Sequence, residues 1–121
     1  KQLRAIHDVA VNMDIIISTA LIPGKKAPLL IESNTISQMK SGSVLIDLAS
    51  SSGGNIEGSK IGEKVNINDC VVYAPRNLPS LIAYDASLLF SKNIYNFISN
   101  FITENKIFDI EAKDELLIKT I

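Results

Sequence analysis

An α/β fold built on a parallel sheet is the architecture this sequence predicts. Three short runs rich in Ile, Val and Leu, at 14–18, 43–48 and 70–74, each end in a loop of small, polar or helix-breaking residues. Apolar residues at helical spacing lie before, between and after them, most clearly from Ala86 to Thr103. Runs with little alternation suit strands covered on both faces, and strands interleaved with helices are the order of an α/β domain.

The elements follow in order. Leu3, Ile6 and Ala10 recur at helical spacing, so the chain opens as though already inside a helix, which is the expectation for part of something larger. Asp14-Ile15-Ile16-Ile17-Ser18 is the first strand, and Pro23 and Gly24 forbid its continuation, leaving a loop through Pro28. Ser33 or Asn34 can cap a short helix through Met39 that Gly42 ends. Ser43–Leu48 is the second strand. Ser50-Ser51-Ser52-Gly53-Gly54-Asn55 is then a loop at the carboxyl edge, where open α/β sheets bind ligands. Cys70–Ala74 is the third strand, and Pro75–Ser80 is a third loop. Phe90, Ile94, Phe97, Ile98 and Phe101 then fall at steps of three and four, the stripe of a core-packing amphipathic helix. Lys92, Asn93, Asn96, Ser99 and Asn100 interrupt it, so it is no membrane span, which needs about 20 apolar residues. Lys106–Ile110 and Leu116–Ile121 read as two short strands around the charged stretch between them.

Composition narrows the function classes. The 121 residues are 46% hydrophobic and 21% charged, with 12 Lys+Arg against 13 Asp+Glu for a formal net charge of -1. Such a chain is too apolar to be disordered, can bury roughly two-thirds of its unfolded surface, and lacks the basic excess that grips nucleic acid. One cysteine and one histidine leave no disulfide framework, no cysteine-rich zinc site and no paired-histidine metal centre. The six glycines, at 24, 42, 53, 54, 58 and 62, fit neither a G-x-G-x-x-G turn nor a Walker A loop.

The spacing of several blocks is more specific. Thr19-Ala20-Leu21-Ile22-Pro23-Gly24-Lys25, Ala27-Pro28, Met39-Lys40 with Gly42-Ser43-Val44 and Asp47-Leu48-Ala49, Gly53-Gly54-Asn55, and Asn77-Leu78-Pro79-Ser80 follow in that order. They resemble the alanine dehydrogenase/transhydrogenase family, and within it the alpha subunit of proton-translocating NAD(P) transhydrogenases. The resemblance implies the C-terminal half of a Rossmann-like NAD-binding domain: residues 1–85 as the second half of the NAD(H)-binding lobe of domain I, 86–104 as a long interlobe helix, and 105–121 as a return segment to the other lobe. It also implies hydride exchange between NAD(H) and NADP(H) coupled to proton movement. The NADP-binding and membrane components would lie elsewhere, domain I would form a homodimer, and the chain would sit on the soluble side of an inner membrane, bacterial cytoplasm or mitochondrial matrix.

By the same resemblance Thr19, Ala20 and Leu21 lie against the adenosine and ribose of NAD(H), and Asn77, Leu78 and Pro79 flank the nicotinamide. No catalytic acid or base and no metal ligand is assigned, because the nicotinamides carry the chemistry. Alanine dehydrogenases typically carry Asp-Gln before the Gly-Gly, and here Ser51 and Ser52 stand there, without a charge to hold a substrate amine. Lys26 replaces a proline common in the family, and Asn77 stands where many transhydrogenases have Asp. An alanine dehydrogenase-like oxidoreductase and a non-catalytic interaction module therefore stay open as alternatives. Asp47 reads as structural, His7 as a packing or surface residue, Cys70 as buried and inert, and Gly53 and Gly54 as sharp-turn formers. With the glycine-rich turn lying elsewhere, the chain by itself is expected to bind NAD weakly or not at all and to self-associate along an open sheet edge.

Overall fold

The computed structural model describes residues 2–102 and 115–119. Two compact units divide the chain, Lys1–Asn77 and Leu78–Ile121.

The first unit contains helix α1 (Gln2–Ala10), strand β1 (Ile15–Ser18), the single-turn helix α2 (Ser33–Ile36), and strands β2 (Val44–Asp47), β3 (Lys64–Ile67) and β4 (Cys70–Tyr73). These strands form one sheet in the order β1-β2-β4-β3. β1 pairs parallel with β2 from Ile15 opposite Val44 to Ser18 opposite Asp47, and β2 pairs parallel with β4. The α/β expectation therefore holds, with one addition: β3 runs antiparallel to β4 on the outer edge. A two-residue turn joins them at Asn68 and Asp69, whose φ values of 47° and 63° are those of the mirror-image turn that matches strand twist. The parallel connection from β2 to β4 thus passes through a hairpin.

The core packs against one face of this sheet. Ala10 of α1, Ile36 of α2, Leu45, Cys70 and Val72 of the strands, and Ile31, Met39 and Ile56 from the connections form one buried cluster. Ile36 and Leu45 are inaccessible to solvent, and burying each contributes about 1.5–3 kcal/mol. His7 is a packing residue: its Nδ1 lies 2.9 Å from the Thr35 hydroxyl. Neither Ser33 nor Asn34 caps α2. The N-cap is Glu32, without a side-chain bond, and the Ser33 N–H instead donates at 2.7 Å to the Glu57 carboxylate from another loop.

The second unit departs further from expectation. Leu78–Leu81 is a helical turn, α3, where a loop was expected, and Pro79 fits because the first turn of a helix does not need its N–H. Helix α4 runs from Ala83 to Ser99, starting three residues early, and α3 packs against it. None of its residues is buried, and Phe90 and Ile94 are exposed, so the predicted core stripe is not covered. A 3.6-residue periodicity marks a face that can be buried, but the covering surface must come from another element. Phe97 meets Phe101 edge to face at 5.2 Å. Of the two expected tail strands, 106–110 lies outside the described residues. The other is corrected: Glu115–Ile118 forms a helical turn, α5, supported by a Glu115–Lys119 ion pair at i,i+4 spacing. Among the described residues, no helix is long and apolar enough to cross a membrane.

Candidate functional site

β1, β2 and β4 are parallel, so the segments that leave them share one edge of the sheet. The segment after β1, residues 19–28, is irregular as Pro23 and Gly24 require, and Gly24 has φ +70°. The segment after β2 begins with a short 3-10 turn at Ser50–Ser52 and reverses through Gly53 and Gly54, at φ +106° and +80°. Both glycines are turn formers. A Cβ on Gly54 would stand 2.6 Å from an Asp47 carboxylate oxygen, and one on Gly53 would stand 2.7 Å from the Lys26 side chain.

These two segments are stitched along their length. Ala27 N–H donates to Ser52 O at 2.7 Å, Leu30 and Ile31 N–H donate to Asn55 O at 2.8 and 3.0 Å, and Glu57 N–H donates to Ile31 O at 2.9 Å. Asp47 anchors the second segment from the end of β2. It is fully buried, and its carboxylate accepts from the N–H groups of Ala49 (3.0 Å), Asn55 (3.0 Å) and Ile56 (3.3 Å) and from the Ser59 hydroxyl (2.7 Å). Every strong contact of Asp47 is internal, which makes it a structural residue.

Asn55 anchors the first segment. Its Oδ1 accepts from the Ser18 hydroxyl at 2.7 Å and from Ala20 N–H at 2.9 Å, while its Nδ2 donates to Ala20 O at 3.0 Å and to Pro28 O at 2.7 Å. The amide orientation is fixed by chemistry, since the reverse would set NH2 against an N–H and oxygen against two carbonyls. Ala20 is thereby bonded on both its N–H and its C=O, leaving Leu21 and Ile22 exposed beyond it. They form, with Pro23, Gly24, Lys25, Lys26 and Ser52, an open depression of about 560 Å³. Its floor is mainly short or apolar, and its two charged side chains are both cationic. That combination suits a flat, anionic ligand better than an amine.

All of residues 1–121 match the family described as alanine dehydrogenase/PNT, C-terminal domain. The chain belongs to that family. Among relatives of this alanine dehydrogenase/PNT domain, the first of the separately encoded pieces of the NAD(P) transhydrogenase alpha subunit is 46% identical in Rhodospirillum rubrum and 42% in Rickettsia prowazekii, each over 82% of this chain and 26% of the relative. The chain thus spans about a quarter of the length of these curated relatives. A transhydrogenase structure from Sinorhizobium meliloti superposes with a TM-score of 0.70 at 37% identity, covering 83% of this chain and 30% of that one. Curated alanine dehydrogenases match shorter stretches, 64 and 65% of the chain.

Within the alanine dehydrogenase/PNT domain, Thr19, Ala20 and Leu21 leave the carboxyl end of β1, and Asn77 follows the carboxyl end of β4 on the same sheet edge, with β2 between the two strands. Leu78 and Pro79 are exposed and open α3, at the start of the second unit. Asn55 is the residue that sequence reasoning did not single out. It lies next to Gly53-Gly54, where a polar residue reads as an ordinary loop position, and its long-range partners leave no local signature. Cys70 is a buried free thiol facing the carbonyls of Lys40 (3.6 Å) and Ile36 (3.8 Å), and burial, with the nearby Asp69 charge, pushes its pKa up. A raised pKa removes the thiolate that nucleophilic chemistry needs.

Proposed function

We propose that this chain forms a portion of the NAD(H)-holding lobe of domain I of a proton-translocating NAD(P) transhydrogenase, which passes hydride between NAD(H) and NADP(H). The observation that carries the reading is the Asn55-held loop: Ala20 is fixed on both backbone polar groups beside a shallow depression bearing Lys25 and Lys26. A preset, small-residue surface lets peptide groups approach a planar cofactor without an ordering cost at binding.

Thr19, Ala20 and Leu21 would line the adenosine and ribose, and Lys25 and Lys26 would supply positive charge toward phosphate oxygens. Asn77 would hydrogen-bond the carboxamide or ribose, with Leu78 and Pro79 shielding the nicotinamide end from water. NAD(H), when bound, supplies the carbon that accepts or gives the hydride. The protein's own groups position and desolvate, so no side chain here is assigned as a general acid or base. Ser51 and Ser52, uncharged where alanine dehydrogenases carry Asp-Gln, favour this reading over oxidation of an amino acid. The assembled enzyme would be a homodimer with NADP-binding and membrane components on the cytoplasmic or matrix side. The three-part division at 85/86 and 104/105 belongs to the same proposal, with α4 as the link between lobes.

The test is enzymatic. In membranes holding the full chain and its partner components, hydride should pass from NADPH to an NAD analogue with a distinct reduced absorbance, and L-alanine with NAD should give no turnover. Alanine oxidation without transhydrogenation would replace this reading with the dehydrogenase one, and neither reaction would point to a non-catalytic module.

A further inference from the structure

We propose that Asn55 is a positioning residue for dinucleotide binding, holding residues 19–21 in the shape that meets the cofactor. The inference rests on the functional reading above and adds a residue to it. Asn55 is fully buried, and an amide removed from water gains nothing from burial unless its polar atoms are all engaged. Here they are, and the destinations are selective. All four side-chain bonds go to Ser18, Ala20 and Pro28, the two ends of the segment after β1, and none goes to the hydrophobic cluster. The bonds to Ala20 imitate the paired exchange of a neighbouring strand, so the amide extends the β1 pairing past Ser18, where the strand itself ends.

Asn55 is itself held from the opposite side. Its N–H is bound by Asp47, and its C=O takes the N–H groups of Leu30 and Ile31. The side chain therefore transmits a position set by the end of β2 to a loop leaving β1. The binding surface is fixed by a buried polar bridge between two segments, which also explains why Gly54 must lack a Cβ: any side chain there would displace the carboxylate that fixes Asn55.

The experiment uses the full chain with its partner components and compares the wild type with Asn55→Asp. Aspartate keeps the size and the oxygen facing Ser18 and Ala20 N–H, but sets a second oxygen against the carbonyls of Ala20 and Pro28. The expected result is a rise of at least tenfold in KM for NAD(H), with kcat at saturating NAD(H) and KM for NADP(H) unchanged within twofold. Ser18→Ala removes one of the four bonds without touching residues 19–21, and is expected to raise the same KM by two- to fivefold, which keeps the test decisive if Asn55→Asp does not fold. A folded Asn55→Asp protein with unchanged KM for NAD(H), or one in which kcat and both KM values change together, would overturn the positioning role. So would an unaltered KM in Ser18→Ala. A wild type without affinity for NAD(H) would instead sink the functional reading and this inference with it, which separates the two failures.

Discussion

Asp47 and Gly54 form the tightest side-chain-to-backbone constraint on the sheet edge. The carboxylate gathers four donors in a site closed to water, so Asp47→Ala leaves buried N–H groups of Ala49, Asn55 and Ile56 without their acceptor. A loss of about 3 kcal/mol or more is expected, read as a lower urea midpoint. Gly54→Ala would combine a positive φ with a Cβ 2.6 Å from Asp47 and 2.8 Å from Ser59, for a cost of about 1–3 kcal/mol in the same measurement. The structural role of Asp47 was legible in the sequence because dinucleotide folds place their ribose-binding acid at the end of another strand. The role of Asn55 was not, because its side-chain partners are as many as 37 residues away in sequence. Cys70 matches its sequence reading. With its pKa raised above the ordinary 9.0, its thiol should resist iodoacetamide at pH 8 until the protein unfolds.

At the scale of elements, local pattern located the three parallel strands and failed where a second segment decides the outcome. Lys64–Ile67 is short, begins with a charge and has two exposed residues, so nothing marked it as a strand; the Asn68-Asp69 pair before an apolar run was the usable signal. Proline misled at Leu78–Leu81, because a helix tolerates it in the first turn. The start of α2 depends on Glu57, whose carboxylate accepts from Ser33 N–H and whose pKa is lowered from its ordinary 4.5 chiefly by that bond. A depressed carboxylate pKa contributes stability that is present above 4.5 and is lost as pH falls through the lower, folded value. Glu57→Gln should therefore flatten the fall in stability below pH 4.5, measured as the difference in urea midpoint between variant and wild type across pH 3–6. An equally steep fall in the variant would remove Glu57 from the account.

For the whole molecule, β1 is the sheet's unpaired edge, and Ile15 and Ile17 on it are 65% and 60% exposed. An apolar groove of about 510 Å³ runs beside it, between α1 and β1. An edge of this kind invites pairing with another strand, so the 121-residue chain by itself should form oligomers whose mass rises with concentration in light scattering. Ile17→Lys should lower that mass, and a wild type that stays monomeric at high concentration would contradict the expectation. The fold class was legible because parallel strands and their helices leave strong periodic patterns. The coverage of α4 was not, because a periodic stripe names a face and not its partner. The central claim is that residues 19–28, held by Asn55 and Asp47, face the dinucleotide. Hydrogen exchange of the full chain with and without saturating NAD tests it most directly. The account predicts slowed exchange in the peptide spanning 19–28 and around Asn77; bound NAD that leaves 19–28 unchanged would contradict it.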